Sequence, residues 1–409
     1  MRFYPAAIMI SVVLLAGCVS DDNLMAGPSG SEYNIPDNDT GQNAAMDANR
    51  DSSNGINQAT TACPTNILSF MPVKAEDIVT LTPLGQVSPP DHVFPAPHSY
   101  IYVIDWKKQQ DNEAAVYAPA DMMLTSIGLR HYDTIGKAAD YIDYTLVFTV
   151  CDDFDLYFHH VKRLTKPEII AAADKILQGC TFNGQWNEDY CQGQANVAVK
   201  AGEAIATTGD LDAGVYGLDI GVRDYRIEPK FANMDRFCSS QNVFDHCYAA
   251  CAFDYLPEGV RQTKYSTGIV QGASPVDECG TVHQDAAGTA QGYWFSDNAK
   301  TTFSQEAQNI FLGKDYAFPD KLMFSIGLSL DGVQAGEYVF TPMHEGATNR
   351  AFDEVKPDGT AYCYQVADPR GEGAPITLLI QLIDATTLHI KRVSTCSDII
   401  GSGFAEYKR

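Results

Sequence analysis

The sequence predicts a mainly β protein with one short helical insertion, a cysteine-rich connector and a second β domain near the carboxyl end. Short runs of aromatic and β-branched residues, bounded by Pro, Gly or Asp, are typical of strands. In the first half of the chain such runs lie at residues 100–104, 145–150, 155–158 and 217–222. Only residues 166–178 have a helical pattern, with Pro167 in the first turn and one apolar face made of Ile169, Ile170, Ala173, Ile176 and Leu177.

The order of these patterns predicts the domain organisation. A sheet domain with the helical insertion is expected over residues 63–229, and an irregular cysteine-rich connector over 230–300. A second β domain is expected over 301–409, because strand patterns recur at residues 322–326, 336–340, 361–364 and 376–383. A chain of 409 residues is long enough for these modules behind a lead segment.

The first eighteen residues indicate export. Arg2 precedes an apolar run at residues 6–16, which is too short to span a bilayer and is typical of a signal peptide. The run ends in Leu-Ala-Gly followed by Cys18, which resembles the lipobox of bacterial lipoproteins. This resemblance implies that residues 1–17 are removed and that Cys18 carries a lipid. The alternative is an ordinary secretory signal followed by a chance cysteine.

Behind the leader, residues 18–62 are rich in Asp, Asn, Ser, Gly and Ala and nearly lack large apolar side chains. Such a segment cannot bury enough surface to offset the entropy of ordering it. We therefore expect a flexible tether between a lipid anchor and the folded body. The expected location is the cell envelope, on the periplasmic or the surface side of a membrane.

The charge balance argues against nucleic acid as a partner. Asp and Glu number 52 against 28 Lys and Arg, which gives a formal charge of −24, and no run rich in Lys or Arg occurs. Neutralising phosphates needs a basic surface that this composition does not supply. The hydrophobic fraction of 45% indicates a globular chain with a sizeable core.

Ten cysteines remain once Cys18 is set aside, and an even number in an exported chain predicts up to five disulfides. The local pairs that we expect are Cys180 with Cys191 and Cys363 with Cys396. A metal site in residues 245–251 is the competing interpretation. That stretch lacks the Cys-x-x-Cys spacing of common structural zinc sites.

Four segments of the first domain carry a recognisable order of residues: Val116-Tyr117-Ala118-Pro119, Tyr157-Phe158-His159-His160, Val199 to Gly209 with Gly202 and Ile205, and Gly217-Leu218-Asp219-Ile220-Gly221-Val222. In this order and spacing they resemble the sheet core of the lysostaphin-like zinc endopeptidases, which are built on the duplicated hybrid motif. The resemblance covers residues 90–227. It implies a groove on a β-sheet in which cell-wall peptides bind.

In active members of that family, a first His, an Asp and the second His of a His-x-His pair hold zinc, which lowers the pKa of its bound water to about 7. The first His of that pair and a strand His serve catalysis. Here the resemblance places Tyr102 at the Asp position, and it leaves Gly217 and Asp219 at the two positions of the His-x-His pair. His98 and His159 match the first His and the strand His.

A rival alignment uses Asp105 as the metal-binding Asp and leaves Ile101 at the His position. Either alignment leaves the ligand pair incomplete, so the resemblance predicts a non-catalytic protein that needs no cofactor. A zinc site rebuilt from His98, Asp219 and either His159 or His160 is the alternative. Since adjacent strand residues point to opposite faces, only one of His159 and His160 is expected in the groove.

Other catalytic classes lack their motifs. The sequence contains no Gly-x-Ser-x-Gly elbow, phosphate-binding Gly-Lys-Ser loop or His-Glu-x-x-His helix. The carboxylates within 152–155 are expected to form an acidic turn between strands, with a glycosidase pair or a calcium site as the alternative. The expected function is therefore an exported envelope lipoprotein that binds an envelope polymer or protein, and the alternative is a zinc-dependent peptidoglycan or peptide endopeptidase.

Overall fold

Two eight-stranded antiparallel sheets and one three-stranded sheet make up the fold. The computed structural model describes residues 62–105, 112–132, 141–181, 189–210, 215–238, 245–260, 279–296, 306–318, 320–368, 374–398 and 402–409. The predicted mainly β fold is confirmed. The predicted signal peptide, Cys18 and all of the predicted tether except Ala62 lie outside the described residues.

The first half supplies the strands β1 (Thr80–Thr82), β2 (Ser99–Tyr102), β3 (Ala114–Tyr117), β4 (Met122–Tyr132), β5 (Tyr141–Cys151), β6 (Phe154–Val161), β7 (Arg163–Leu164), β8 (Asp189–Val199), β9 (Ala204–Thr208), β10 (Gly217–Asp224) and β11 (Ala249–Ala250). The first sheet has the order β1-β2-β10-β6-β5-β4-β8, and β11 pairs with β10 beyond the end of β2. The small sheet has the order β3-β9-β7. Strand β10 therefore lies inside the first sheet, with neighbours on both sides.

One face of the first sheet covers a continuous apolar core. Leu124, Phe148, Phe158, Leu218 and Ile220 are among its fully buried members. Burying each such side chain stabilises the fold by about 1.5–3 kcal/mol before the entropy cost is counted. The alternation of these residues with polar ones along each strand fixes which side chains reach the opposite face.

The predicted helix is present as α1 (Pro167–Leu177), with Pro167 in its first turn. Ile169 and Ala173 are buried against the first sheet, whereas Ile170 is 37% exposed. The apolar face is therefore narrower than the sequence pattern suggests. A second short helix, α2 (Met234–Cys238), lies between β10 and β11 in the chain.

The second half supplies the strands β12 (Gly292–Ser296), β13 (Ile310–Lys314), β14 (Leu322–Ile326), β15 (Gly336–Phe340), β16 (Tyr362–Val366), β17 (Ile376–Asp384), β18 (Thr387–Val393) and β19 (Ala405–Lys408). Their order is β15-β14-β13-β12-β19-β18-β17-β16. A bridge between Val339 and Ala367 joins the two outer strands, so the sheet nearly closes on itself. The second sheet begins at Gly292, inside the range 230–300 that the sequence assigns to the connector.

Five cysteine pairs lie at disulfide-bonding distance. Cys180 pairs with Cys191 and Cys363 with Cys396, with Cα–Cα distances of 5.8 and 5.5 Å. The remaining pairs are Cys63–Cys151, Cys238–Cys247 and Cys251–Cys279. Because Cys247 and Cys251 have cysteine partners, the metal site considered for residues 245–251 is not formed. So many paired cysteines are typical of an oxidising, exported environment.

A loop in the first half of the chain contacts residues of both large sheets. We call residues 85–98 the seam loop. Its Val93 and Phe94 belong to an apolar cluster that also contains Tyr293, Phe295 and Phe311 of the second sheet. The residues described here fall in one compact unit, and within them no helix is long and apolar enough to cross a membrane.

Arg409, which directly follows β19, forms a buried ion pair beside β12. The Arg409 guanidinium lies 3.5 Å from Asp285, and both side chains are 2% exposed. It also stacks on Trp294 at 4.2 Å and donates to the Gln291 carbonyl. Asp285 in turn accepts the backbone N–H of Tyr293 at 3.1 Å.

Removing one partner of this buried pair leaves an uncompensated charge. We expect Arg409→Ala to lower the free energy of unfolding by about 3–5 kcal/mol. Lys408→Ala is the matched control, because Lys408 pairs with Glu406 at the surface and should contribute less than about 1 kcal/mol. Urea unfolding of the oxidised proteins gives both numbers, and equal midpoints for the two variants would contradict the expectation.

Candidate functional site

Strand β10 places three small or polar residues on one face of the first sheet. All eight of its residues are buried. Leu218, Ile220 and Val222 belong to the apolar core. Because side chains alternate along a strand, Gly217, Asp219 and Gly221 share the opposite face.

The register of the neighbouring strands determines what surrounds Asp219. Directly paired strand residues point to the same face, and Asp219 pairs with Tyr100 of β2 and with His159 of β6. His98 lies two residues before Tyr100 and follows the same side. We call His98, Tyr100, Asp219, His159 and His160 the polar face.

The side chains of the polar face contact one another closely. His98 Nε2 lies 3.2 Å from Asp219 Oδ2 and 3.1 Å from the Tyr100 hydroxyl. The rings of His98 and His159 are 5.8 Å apart between centroids. The structure therefore brings together His98, Asp219 and His159, the three residues that the resemblance singles out.

The structure corrects the expectation that only one of the two adjacent histidines reaches this face. His160 has a left-handed backbone with φ of 59°, and the pairing of β5 with β6 is irregular beside it. Its Nε2 lies 3.5 Å from Asp219 Oδ2 and its Nδ1 lies 2.8 Å from Asp143 Oδ2. The irregular backbone breaks the alternation, so both imidazoles lie near Asp219.

Gly217 stands where the resemblance places a catalytic His, and its surroundings exclude any side chain. A Cβ built there collides with the Ile101 carbonyl oxygen and lies 2.8 Å from the Tyr102 Cα. At Gly221 the Tyr157 ring occupies the corresponding space, and the Tyr157 hydroxyl donates to the Pro97 carbonyl at 3.0 Å. The sheet is packed around the glycines, which leaves no room for the missing imidazole.

The rival alignment is disfavoured by the same geometry. Ile101, which it places at the His position, is fully buried in the apolar core on the other side of the sheet. Tyr102, in contrast, pairs with Gly217 beside the polar face. The alignment that uses His98 and Tyr102 is therefore the one whose residues share a face.

Burial and neighbouring charges give the polar face an uneven distribution of protons. Burial, together with nearby imidazoles, holds the pKa of His98 well below its usual range, and burial lowers the pKa of His159 to about 4. Burial raises the pKa of Asp219 to about 6. Burial alone would lower the pKa of His160, but Asp219 and Asp143 outweigh it and raise that pKa to about 9. At neutral pH, His160 is the charged imidazole of the group.

Among the residues that the structure describes, the side chains of the polar face are not gathered as closely as a three-ligand zinc site requires. Ligand atoms of such a site lie about 2.0–2.2 Å from the metal and converge on one point. In the described part of the chain, the one group of three metal-binding side chains within 4.8 Å of each other is Cys251, Asp254 and Cys279, whose two cysteines are already paired. Around Asp219, the His98 and His160 imidazoles contact the same carboxylate oxygen, Oδ2.

Sequence reasoning missed two contributors, Asp143 and Tyr100. Asp143 is 8% exposed and lies on β5. In the sequence, a carboxylate between Ile142 and Tyr144 inside a strand pattern is the signal that could have identified it. Its partner could not be identified, because the contact depends on the irregular backbone at His160. At His160, whose side chain is 42% exposed, the polar face reaches the surface. There Asp143, His160, Lys162 and Asp210 line a shallow surface depression.

The chain matches no protein-family model, no curated protein and no solved structure.

Filling the glycine position opposite Tyr102 should strain the sheet. We expect Gly217→Ala to lower the free energy of unfolding by about 1–3 kcal/mol, since the new methyl group overlaps backbone atoms of β2. Gly336→Ala is a matched strand control, because its nearest neighbour is the Tyr338 ring at an ordinary 3.6 Å. A thermal or urea midpoint for Gly217→Ala as high as that of the control would show that the position tolerates a side chain.

The charge on His160 should depend on Asp143. We expect Asp143→Asn to lower the pKa of His160 by about 1–3 units, since a carboxylate 2.8 Å away favours the imidazolium. In the parent protein this raised pKa stabilises the fold fully below pH 6.5, and the contribution is lost as the pH rises through about 9. NMR titration of the His160 ring measures the change. Asp153→Asn, at the other end of β6, is the control and should leave it unaltered.

Proposed function

We propose that the protein is an exported cell-envelope lipoprotein, anchored through Cys18, whose first sheet binds an envelope polymer or protein without hydrolysing it. The observation that carries this proposal is the packing at Gly217, where β2 leaves no space for a catalytic side chain. The resemblance to the lysostaphin-like endopeptidases supplies the expected class of ligand.

Export is supported by two independent features. The leader combines Arg2, an apolar run and a small-residue segment before Cys18. The ten other cysteines all have partners within disulfide distance, which fits folding outside the reducing cytosol. A lipid at Cys18, followed by residues 19–61, would hold the folded body near the envelope.

A binding role for the polar face is supported by its access to solvent. Most of the face is buried, but the His160 imidazolium is 42% exposed beside the depression. Lys162 adds a second cation there, paired with Asp210 at 2.9 Å. Ligands with polar and charged groups can exchange hydrogen bonds with such partly exposed ion pairs more readily than with fully buried ones.

The test uses the exported chain with Cys18→Ser, which has no lipid acceptor, purified with its disulfides intact. We expect it to co-sediment with purified envelope polymer or to capture an envelope protein, to release no peptide from the polymer, and to hold well below one zinc per chain. His160→Ala combined with Lys162→Ala should weaken binding by about tenfold or more. Lys314→Ala, on an exposed position of β13, is the control.

The alternative, a zinc endopeptidase with a rebuilt site, is favoured by one observation, the 3.2 Å contact between His98 and Asp219. It would require His159 or His160 to converge with them as a third ligand. It expects about one zinc per chain, lost in His98→Ala or Asp219→Ala, and a chelator-sensitive hydrolysis that His159→Ala abolishes. Such a result would overturn the non-catalytic proposal, and binding to neither polymer nor protein would remove the binding role.

A further inference from the structure

The seam loop is a hairpin-like segment that packs against the second sheet. Its two arms are joined by backbone hydrogen bonds from Gly85 to Ala96 and from Ala96 to Gln86, at 3.1 and 2.8 Å. In its second arm, the Phe94 ring packs against Tyr293 and Phe295, with ring centroids 4.9 and 5.2 Å away. The end of the loop carries His98 to the polar face, so the seating of the loop and the position of His98 are connected.

One buried carboxyl group of the second half of the chain binds the second arm of this loop. Glu306 is 7% exposed, and its Oε1 accepts the backbone N–H of Phe94 at 2.7 Å. The Val93 N–H also faces the carboxyl group and acts to lower its pKa. The backbone of Glu306 is fixed by a hydrogen bond from Asn309 at 2.9 Å. A second attachment runs from the Ser325 hydroxyl to the Val93 carbonyl.

No described Lys, Arg or His forms an ion pair with Glu306. The titratable groups that face it are Asp91 on the seam loop, Tyr100 on β2 and Tyr293 on β12. A carboxylate in such surroundings is stabilised by the two N–H groups alone, against the cost of leaving water. Burial outweighs the two N–H groups and raises the pKa of Glu306 to about 8.

We propose that Glu306 is a pH-dependent latch that holds the seam loop against the second sheet and thereby fixes the position of His98 at the polar face. The neutral carboxyl group remains in place while the loop is seated. When the loop opens, the group meets water and gives up its proton to the solvent. Opening is therefore coupled to the release of one proton.

This coupling has a definite sign. In the open state the carboxyl group returns toward its usual pKa of 4.5, whereas in the seated state it keeps its proton up to about pH 8. The opening equilibrium should thus rise with pH across this window, by up to about tenfold per pH unit. It should become level above pH 8, where both states have lost the proton.

Hydrogen exchange of the amides in residues 85–98, corrected for the intrinsic effect of pH, measures this opening. We expect protection in the parent protein to fall by about tenfold per unit between pH 6 and 8, relative to Glu306→Gln. The amide side chain keeps an acceptor for Phe94 but cannot ionise in this range. The histidines near the loop are present in both proteins, so their contribution cancels in the comparison.

Ser325→Ala is the matched control. It removes the other attachment of Val93, so protection of the loop should fall by the same factor at every pH, with the pH slope of the parent protein retained. Parallel pH profiles for the parent protein and Glu306→Gln would overturn the proposal. If Glu306→Gln does not fold, the parent protein is compared with its own helix α1: a protection ratio of loop to helix that is constant from pH 6 to 8 overturns the proposal equally.

Discussion

The site depends on one constraint, the burial of strand β10 on both of its faces. The side toward the core needs apolar residues, and Leu218, Ile220 and Val222 supply them. The other side carries a carboxylate, Asp219, between two glycines. An ionised carboxylate away from water costs several kcal/mol unless partners satisfy it. Contacts with His98 at 3.2 Å and His160 at 3.5 Å meet that need.

This requirement also accounts for the unusual backbone at His160. A left-handed conformation at a residue other than Gly costs on the order of 1 kcal/mol. At His160 it aims one ring nitrogen at Asp143 and the other at Asp219. The contact with Asp143 is a charge-assisted hydrogen bond, which contributes more than a neutral one, and the contact with Asp219 is an ion pair. The local strain and the pair of carboxylates therefore belong to one arrangement, in which neither is favourable without the other.

The sequence predicts what is local and periodic, and it leaves out what depends on distant pairing. Strand runs such as residues 322–326 and 336–340 match the structure, because short aromatic and apolar runs bounded by turn residues depend on local sequence alone. The short-range pair Cys180–Cys191 could be anticipated, while Cys63–Cys151 spans 88 residues and could not. The polar face was found through His98, His159 and Asp219. His160 was named only as a substitute for His159, and its presence on the same face was missed, because a single irregularity in β6 reverses the side on which its ring lies.

The polar face balances its buried charges through one imidazolium. Two carboxylates, Asp143 and Asp219, share one imidazolium on His160, while burial keeps His98 and His159 neutral. A divalent cation at Asp219 would oppose the proton on His160, since like charges a few ångströms apart repel strongly in a buried site. Proton and metal are thus competing ways to balance the same carboxylate. With Gly217 unable to carry a side chain, the protonated arrangement balances the buried charge and leaves the His160 imidazolium partly exposed.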